Sequence, residues 1–220
     1  MRAFISYSHH DRKRAAQIKE ILERFEIPTF LAHDDILVSQ QWRDEILREL
    51  EARNIFVALL SQAFKESDWA PQETGIAASH QDVLIIPLSL DETVPFGFIS
   101  HLQGKKLPPL ATPLSLVMGP IVERYPEELL PLVITQVRHS PGWRWSEAFM
   151  GLLEPYFSRL SDDQVHELAE AAIANSEVWL AGDCIRKYLP AFIHANRERI
   201  NPDRLKVLTH QIEHQEPWET

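Results

Sequence analysis

Two hydrophobic periods alternate along the first hundred residues. Phe4-Ile5-Ser6-Tyr7 is a short strand-like run closed by the polar Ser8-His9-His10-Asp11. After it, Ala15, Ile18, Ile21, Leu22 and Phe25 recur at helical spacing, and Asp11 stands where a helix N-cap belongs. Ile27-Pro28 resets the chain, and Thr29-Phe30-Leu31 predicts a second strand. A polar loop over 32–40 leads into an amphipathic helix through Trp42, Ile46 and Leu50. Ile55–Leu60 is apolar at every position, as a central strand covered on both faces must be. A helix near 70–80 and a fourth strand over 83–86 follow. Strands alternating with helices predict a parallel, doubly wound sheet with right-handed crossovers, in which ligands bind beyond the carboxyl ends of the strands. The loops after Tyr7, Leu31 and Leu60 are therefore the first places to look for a site.

The pattern changes after about residue 90. Gly97-Phe98-Ile99 and Gly104-Lys105-Lys106-Leu107 suggest one more short element, and Pro108, Pro109, Pro113 and Pro120 read as a stiff connector. Beyond them no strand pattern persists. Segments 126–137, 146–160, 162–174, 179–195 and 202–214 carry apolar residues at helical spacing, punctuated by Gly142, Gly182 and Asn201-Pro202. The expected organisation is an α/β domain over 1–107, a connector over 108–121 and an all-α module of about five short helices over 122–220.

Composition narrows the range of functions. Hydrophobic residues make up 45% of the 220 and charged residues 25%, the balance of an ordinary globular protein. Asp and Glu outnumber Lys and Arg by 32 to 22, giving a formal net charge of -10 that is spread over both halves. Wrapping nucleic acid or lying on an anionic membrane demands the opposite surplus. Cys184 is the single cysteine, so an internal disulfide is excluded and a reducing compartment fits. The apolar stretches fall short of the ~18 to 20 residues of a membrane helix, and the start of the chain has no signal-peptide pattern. These features together predict a cytoplasmic protein.

The most informative run is Ser67-Asp68-Trp69-Ala70-Pro71-Gln72-Glu73. Pro71 is acceptable only in the first turn, so a helix begins here, with Glu73 near its amino end and Trp69 one turn away on the same face. An aromatic ring beside a carboxylate, next to strand carboxyl ends, suits a positively charged aromatic substrate. The same two residues could also be a core tryptophan and a glutamate favoured by the helix dipole, and spacing alone leaves both readings open. Other signals carry less. His210-Gln211-Ile212-Glu213-His214 matches H-x-x-E-H but has no third metal ligand in view, and a solvated helix face explains it. Cys184 sits in an apolar helical pattern. Neither a G-x-S-x-G context nor a phosphate-binding glycine fingerprint occurs. Trp143, Trp145 and Trp179 read as helix-packing residues, with Trp143-Arg144-Trp145 a candidate partner anchor if exposed.

Taken in order, Phe4-Ile5-Ser6-Tyr7-Ser8, Phe30-Leu31-Ala32-His33-Asp34-Asp35-Ile36 with Trp42-Arg43-Asp44-Glu45-Ile46, Phe56-Val57-Ala58-Leu59-Leu60-Ser61, Trp69-x-x-x-Glu73 and Pro95-Phe96-Gly97-Phe98-Ile99 resemble the Toll/interleukin-1 receptor (TIR) domain, particularly its bacterial branch. The resemblance covers about residues 1–107 and implies a flavodoxin-like five-stranded parallel sheet. Many family members cleave the nicotinamide–ribose bond of NAD, and others act only as assembly scaffolds. For this chain the resemblance implies an NAD+ nucleosidase, or a cyclase on the same chemistry, with NAD as substrate and neither a cofactor nor a metal. Glu73 would be the catalytic glutamate. Tyr7, Ser8, His9 and Trp69 would line the pocket, with Asp35 on the mobile 32–41 loop and Trp42 at its far end. Ser8 and His9 depart from the basic pair of the animal enzyme, so phosphate contacts would fall to donors such as Arg12, Lys13 and Arg14. The implied role is a cytoplasmic immune or stress effector gated by TIR self-association, with the helical module docking a sensor or regulator. The rival role is a non-catalytic adaptor that binds other TIR domains through the 32–41 loop.

Overall fold

The computed structural model describes residues 1–32 and 42–214, with the backbone alone described at Trp42 and Arg43. The chain divides into two compact units, Met1–Arg124 and Tyr125–Thr220. In the first, strands β1 (Ala3–Ser6), β2 (Thr29–Leu31), β3 (Ile55–Leu60), β4 (Leu84–Ser89) and β5 (Lys105–Lys106) form one sheet in the order β2-β1-β3-β4-β5, every pair parallel. This is the flavodoxin-like order, whose topological switch point lies between β1 and β3. Helices α1 (Arg12–Arg24), α2 (Trp42–Glu51), α3 (Gln62–Lys65), α4 (Ala70–Ser79) and α5 (Leu114–Arg124) cover it.

Strand alternation sorts the buried side chains onto two faces. One face carries Phe4, Phe30, Phe56, Ala58 and Leu60, packed with Ile46 and Leu50 of α2, Phe64 of α3 and Ala70 and Ala77 of α4. Ala3, Ile5, Val57 and Leu59, equally buried, point to the other face, where α1 packs on β2 and α5 on β4 and α1. On the α2/α4 face the layers differ in size. Phe4 lies 5.3 Å from Phe30 and 5.7 Å from Phe56, centroid to centroid, and Ile85 follows in register. One layer nearer the carboxyl ends stand Ser6 and Ala58, paired in register, with Ala32 just past the end of β2. Small side chains there leave room for a group from α4.

Two expectations change. Asp11 does not cap α1 with its side chain; a 3-10 turn, His9–Asp11, precedes the helix, and the Asp11 carboxylate accepts from Ser61 Oγ at 2.6 Å instead. The stiff connector expected over 108–121 is helical from Leu114 onward, because α5 runs through Pro120.

The second unit is all helical: α6 (Pro126–Arg138), α7 (Trp143–Leu153), α8 (Asp162–Ala174), α9 (Ser176–Leu180), α10 (Leu189–Asn196) and α11 (Pro202–His214), with a 3-10 segment, Glu154–Arg159, and a π-helical turn, Cys184–Tyr188, between them. Two buried asparagines tie the helix ends. Asn175 Nδ2 donates to Val137 O at 2.8 Å and Ser140 Oγ at 2.7 Å while its Oδ1 caps α9. Asn196 Nδ2 donates to Phe157 O at 2.9 Å, and its Oδ1 accepts from Arg199. Ser161 and Gln164 form a capping box at the start of α8.

Candidate active site

Glu73 lies in the first turns of α4, where Ser67 Oγ accepts from the amides of Trp69 and Ala70 and Pro71 occupies a position that needs no donor. The Glu73 amide bonds Trp69 O at 2.9 Å, so the two residues stand one turn apart, Trp69 half-buried and Glu73 only 1% exposed. The helix brings the Glu73 carboxylate onto the small-residue layer at the end of β1. There Ser6 Oγ donates to Glu73 Oε2 at 2.5 Å. Glu73 Oε1, equally buried, has no hydrogen-bond partner among the described residues. Burial raises the carboxyl from 4.5 to about 7, and the Ser6 hydroxyl opposes that rise by favouring the ionised form.

A carboxylate in this setting is half ionised near neutral pH, held by one donor, and aimed with one oxygen uncommitted at the switch point of a parallel sheet. It can stabilise a developing cation or accept from a hydroxyl, in surroundings where charge interactions are weakly screened.

The other sequence-derived positions distribute unevenly. Tyr7 follows Ser6 directly, just past the end of β1, and is wholly buried. Ser8 is buried, with its Oγ 3.4 Å from His10 Nδ1, and His9 is exposed in the turn that follows. Asp35 and the side chain of Trp42 lie outside the described residues. Arg14 is committed to Pro108 O, Thr112 Oγ1 and Gln17 Oε1, tying α1 to the chain that follows β5. Lys13 and Arg14 line a cavity of about 430 Å³ with His10, Leu90 and Pro109, on the α1 side of the sheet.

Ser6 is the residue that the sequence reading missed. Its signal was a polar residue in an otherwise apolar strand, on the face of Phe4, but its partner is 67 positions away.

Elsewhere, His210 and His214 stack at 4.2 Å on one exposed face of α11, and no group of three or more metal-ligating side chains is assembled among the described residues. Cys184 is wholly buried, and burial pushes its thiol pKa upward, so it is a core residue. Trp179 is buried; Trp143 and Trp145 are half-buried, the first under the Arg144 guanidinium and the second stacked on Phe149. Among the described residues no helix is long and apolar enough to cross a membrane.

A search of curated proteins finds no match to the chain. Residues 3–109 match one family model, that of the TIR domain.

Proposed function

Since residues 3–109 are a TIR domain, we propose that this protein cleaves the glycosidic bond between nicotinamide and ribose in NAD, with Glu73 as the catalytic residue. The observation that carries the reading is the Glu73 carboxylate: buried, anchored through one oxygen by Ser6, and without a hydrogen-bond partner at the other among the described residues. A scaffold has no use for that arrangement, which costs stability.

The chemistry asks for a single carboxylate. Glycosidases usually need a second carboxyl group to protonate an alkoxide leaving group. Nicotinamide in NAD is a pyridinium and departs neutral, so no general acid is required. As the bond from C1′ to the pyridinium nitrogen breaks, its electron pair leaves with nicotinamide and positive charge builds on the ribose. Ionised Glu73 stabilises that oxocarbenium-like state and holds the ribose hydroxyls. Water then attacks C1′ and loses a proton to give ADP-ribose; attack by an adenine nitrogen gives the cyclic isomer. Trp69 supplies an aromatic surface near the pyridinium.

TIR domains associate with one another, and we place this enzyme under that control, as an immune or stress effector whose site is completed on self-assembly. The helical unit then serves as the docking or regulatory module. NAD consumption and product chromatography across a range of protein concentrations test both points. Wild type should release nicotinamide with a rate that climbs more steeply than enzyme concentration. Glu73→Ala should lose about 100-fold or more. NAD left intact by concentrated wild type, with Glu73→Ala indistinguishable from it, favours the non-catalytic adaptor instead. Because the carboxyl titrates at about 7, the rate should also rise with pH through neutrality.

A further inference from the structure

We propose that Ser6 is the positioning residue of this site: its hydroxyl pins one oxygen of the Glu73 carboxylate so that the other is presented to the ribose. The inference rests on the reading of Glu73 given above.

Ser6 ends the interior strand β1 and is wholly buried. A buried hydroxyl needs a partner, and here the partner is Glu73 Oε2 at 2.5 Å. The terminal torsion of a glutamate is broad and roughly two-fold, so an unanchored carboxylate exchanges its oxygens freely. One short bond from a strand removes that freedom and leaves Oε1 as the uncommitted atom. The neighbours fit this role. Ala58 beside Ser6 and Ala32 past the end of β2 are the smallest side chains on that face, so the carboxylate enters over β1 without displacing a packed residue. An apolar side chain at position 6 would extend the Phe4 face and bury more area; serine there serves the carboxylate.

No other charge competes for Glu73 among the described residues. β1 and the Gly97–Ile99 turn packed on α4 carry no ionisable side chain. On α3, Lys65 lies over the Phe96 ring. On α2, Glu45 pairs with Arg48 and Glu49 with Arg53, while Asp44 and Glu51 are exposed. Burial and the Ser6 hydroxyl therefore set the ionisation of Glu73 between them.

The test compares wild type, Ser6→Ala, Ser6→Thr and Glu73→Ala in NAD-cleavage rate from pH 5.5 to 9, with thermal melts to confirm folding. Ser6→Ala should lower kcat about 10- to 100-fold at pH 7 with little change in KM, as expected when a hydrogen bond to a charged group is removed. The acidic limb of its profile should move up by about one pH unit, because the donor that favours the ionised form is gone. Ser6→Thr keeps the hydroxyl and should restore the limb to the wild-type position, an outcome a merely structural role would not produce. Carbon-13 NMR of labelled glutamate follows the Glu73 carboxyl without relying on turnover and should show the same shift. Wild-type rate and limb in Ser6→Ala, beside an inactive Glu73→Ala, overturn the role of Ser6 alone. Equal inactivity of wild type and Glu73→Ala overturns the reading of the site and this inference with it.

Discussion

Glu73 carries a stability cost with a definite sign. The unfolded chain gives up this proton near 4.5, whereas the folded protein holds it to about 7. Between those values the native state binds more protons, so stability falls as pH rises through the window and levels off above it. The pKa difference corresponds to about 3 kcal/mol at most. Glu73→Gln keeps the shape and an acceptor for Ser6 but has nothing to ionise. Urea denaturation at pH 5 and pH 8 should show the variant gaining on wild type by up to about 3 kcal/mol across that interval. Stability curves that run parallel in pH would show that Glu73 ionises as easily in the folded state as in the unfolded one. A gain in stability joined to a loss of the proposed NAD cleavage is the trade expected where a site holds a charge that the core would expel.

Among the elements, the exit from α1 combines a favourable motif with an unfavourable residue. Ile27 N bonds Leu22 O at 3.1 Å and Glu26 N bonds Glu23 O at 3.0 Å, the paired bonds of a Schellman ending, with Leu22 and Ile27 both buried beneath it. The residue between them, Glu26, sits at φ 57°, the left-handed conformation usually left to glycine. Glu26 is exposed, so Glu26→Gly loses no packing. It should stabilise the protein by about 1 kcal/mol, read as a higher Tm; a lower Tm would mean that the added freedom of the unfolded chain outweighs the strain. This scale also divides what the sequence could reveal from what it could not. Local periodicity placed α1, β2, β3, α4 and α8 closely, because each buries one face or both. The apolar residues of α5, Leu114, Val117, Met118, Ile121 and Val122, also recur at helical spacing, a pattern the sequence reading passed over. The prolines around it suggested a connector instead, yet a helix tolerates Pro120 when packing compensates for one lost backbone bond. The site was half legible. Trp69, Pro71 and Glu73 lie on one turn and announce themselves, whereas Ser6 acquires meaning only when β1 and α4 are brought together in space.

For the whole molecule, the end of the TIR family match is not the end of the first compact unit. The match stops at residue 109, but the unit runs to Arg124 and includes α5. That helix packs on β4 and α1, and Leu114, Val117, Met118, Ile121 and Val122 are each 5% exposed or less. At about 1.5 to 3 kcal/mol for each buried apolar side chain, their loss is on the order of 10 kcal/mol, comparable to the entire stability of a typical domain. A fragment cut at residue 109 also leaves the α1 face of the sheet uncovered over β4, where apolar surface invites association. A fragment of residues 1–109 should therefore be aggregated or molten, with weak near-ultraviolet circular dichroism and strong binding of a hydrophobic dye. Residues 1–124 should melt cooperatively as a folded domain. If both fragments melt alike, α5 is an appendage, and the five strands with α1 to α4 are a sufficient folding unit.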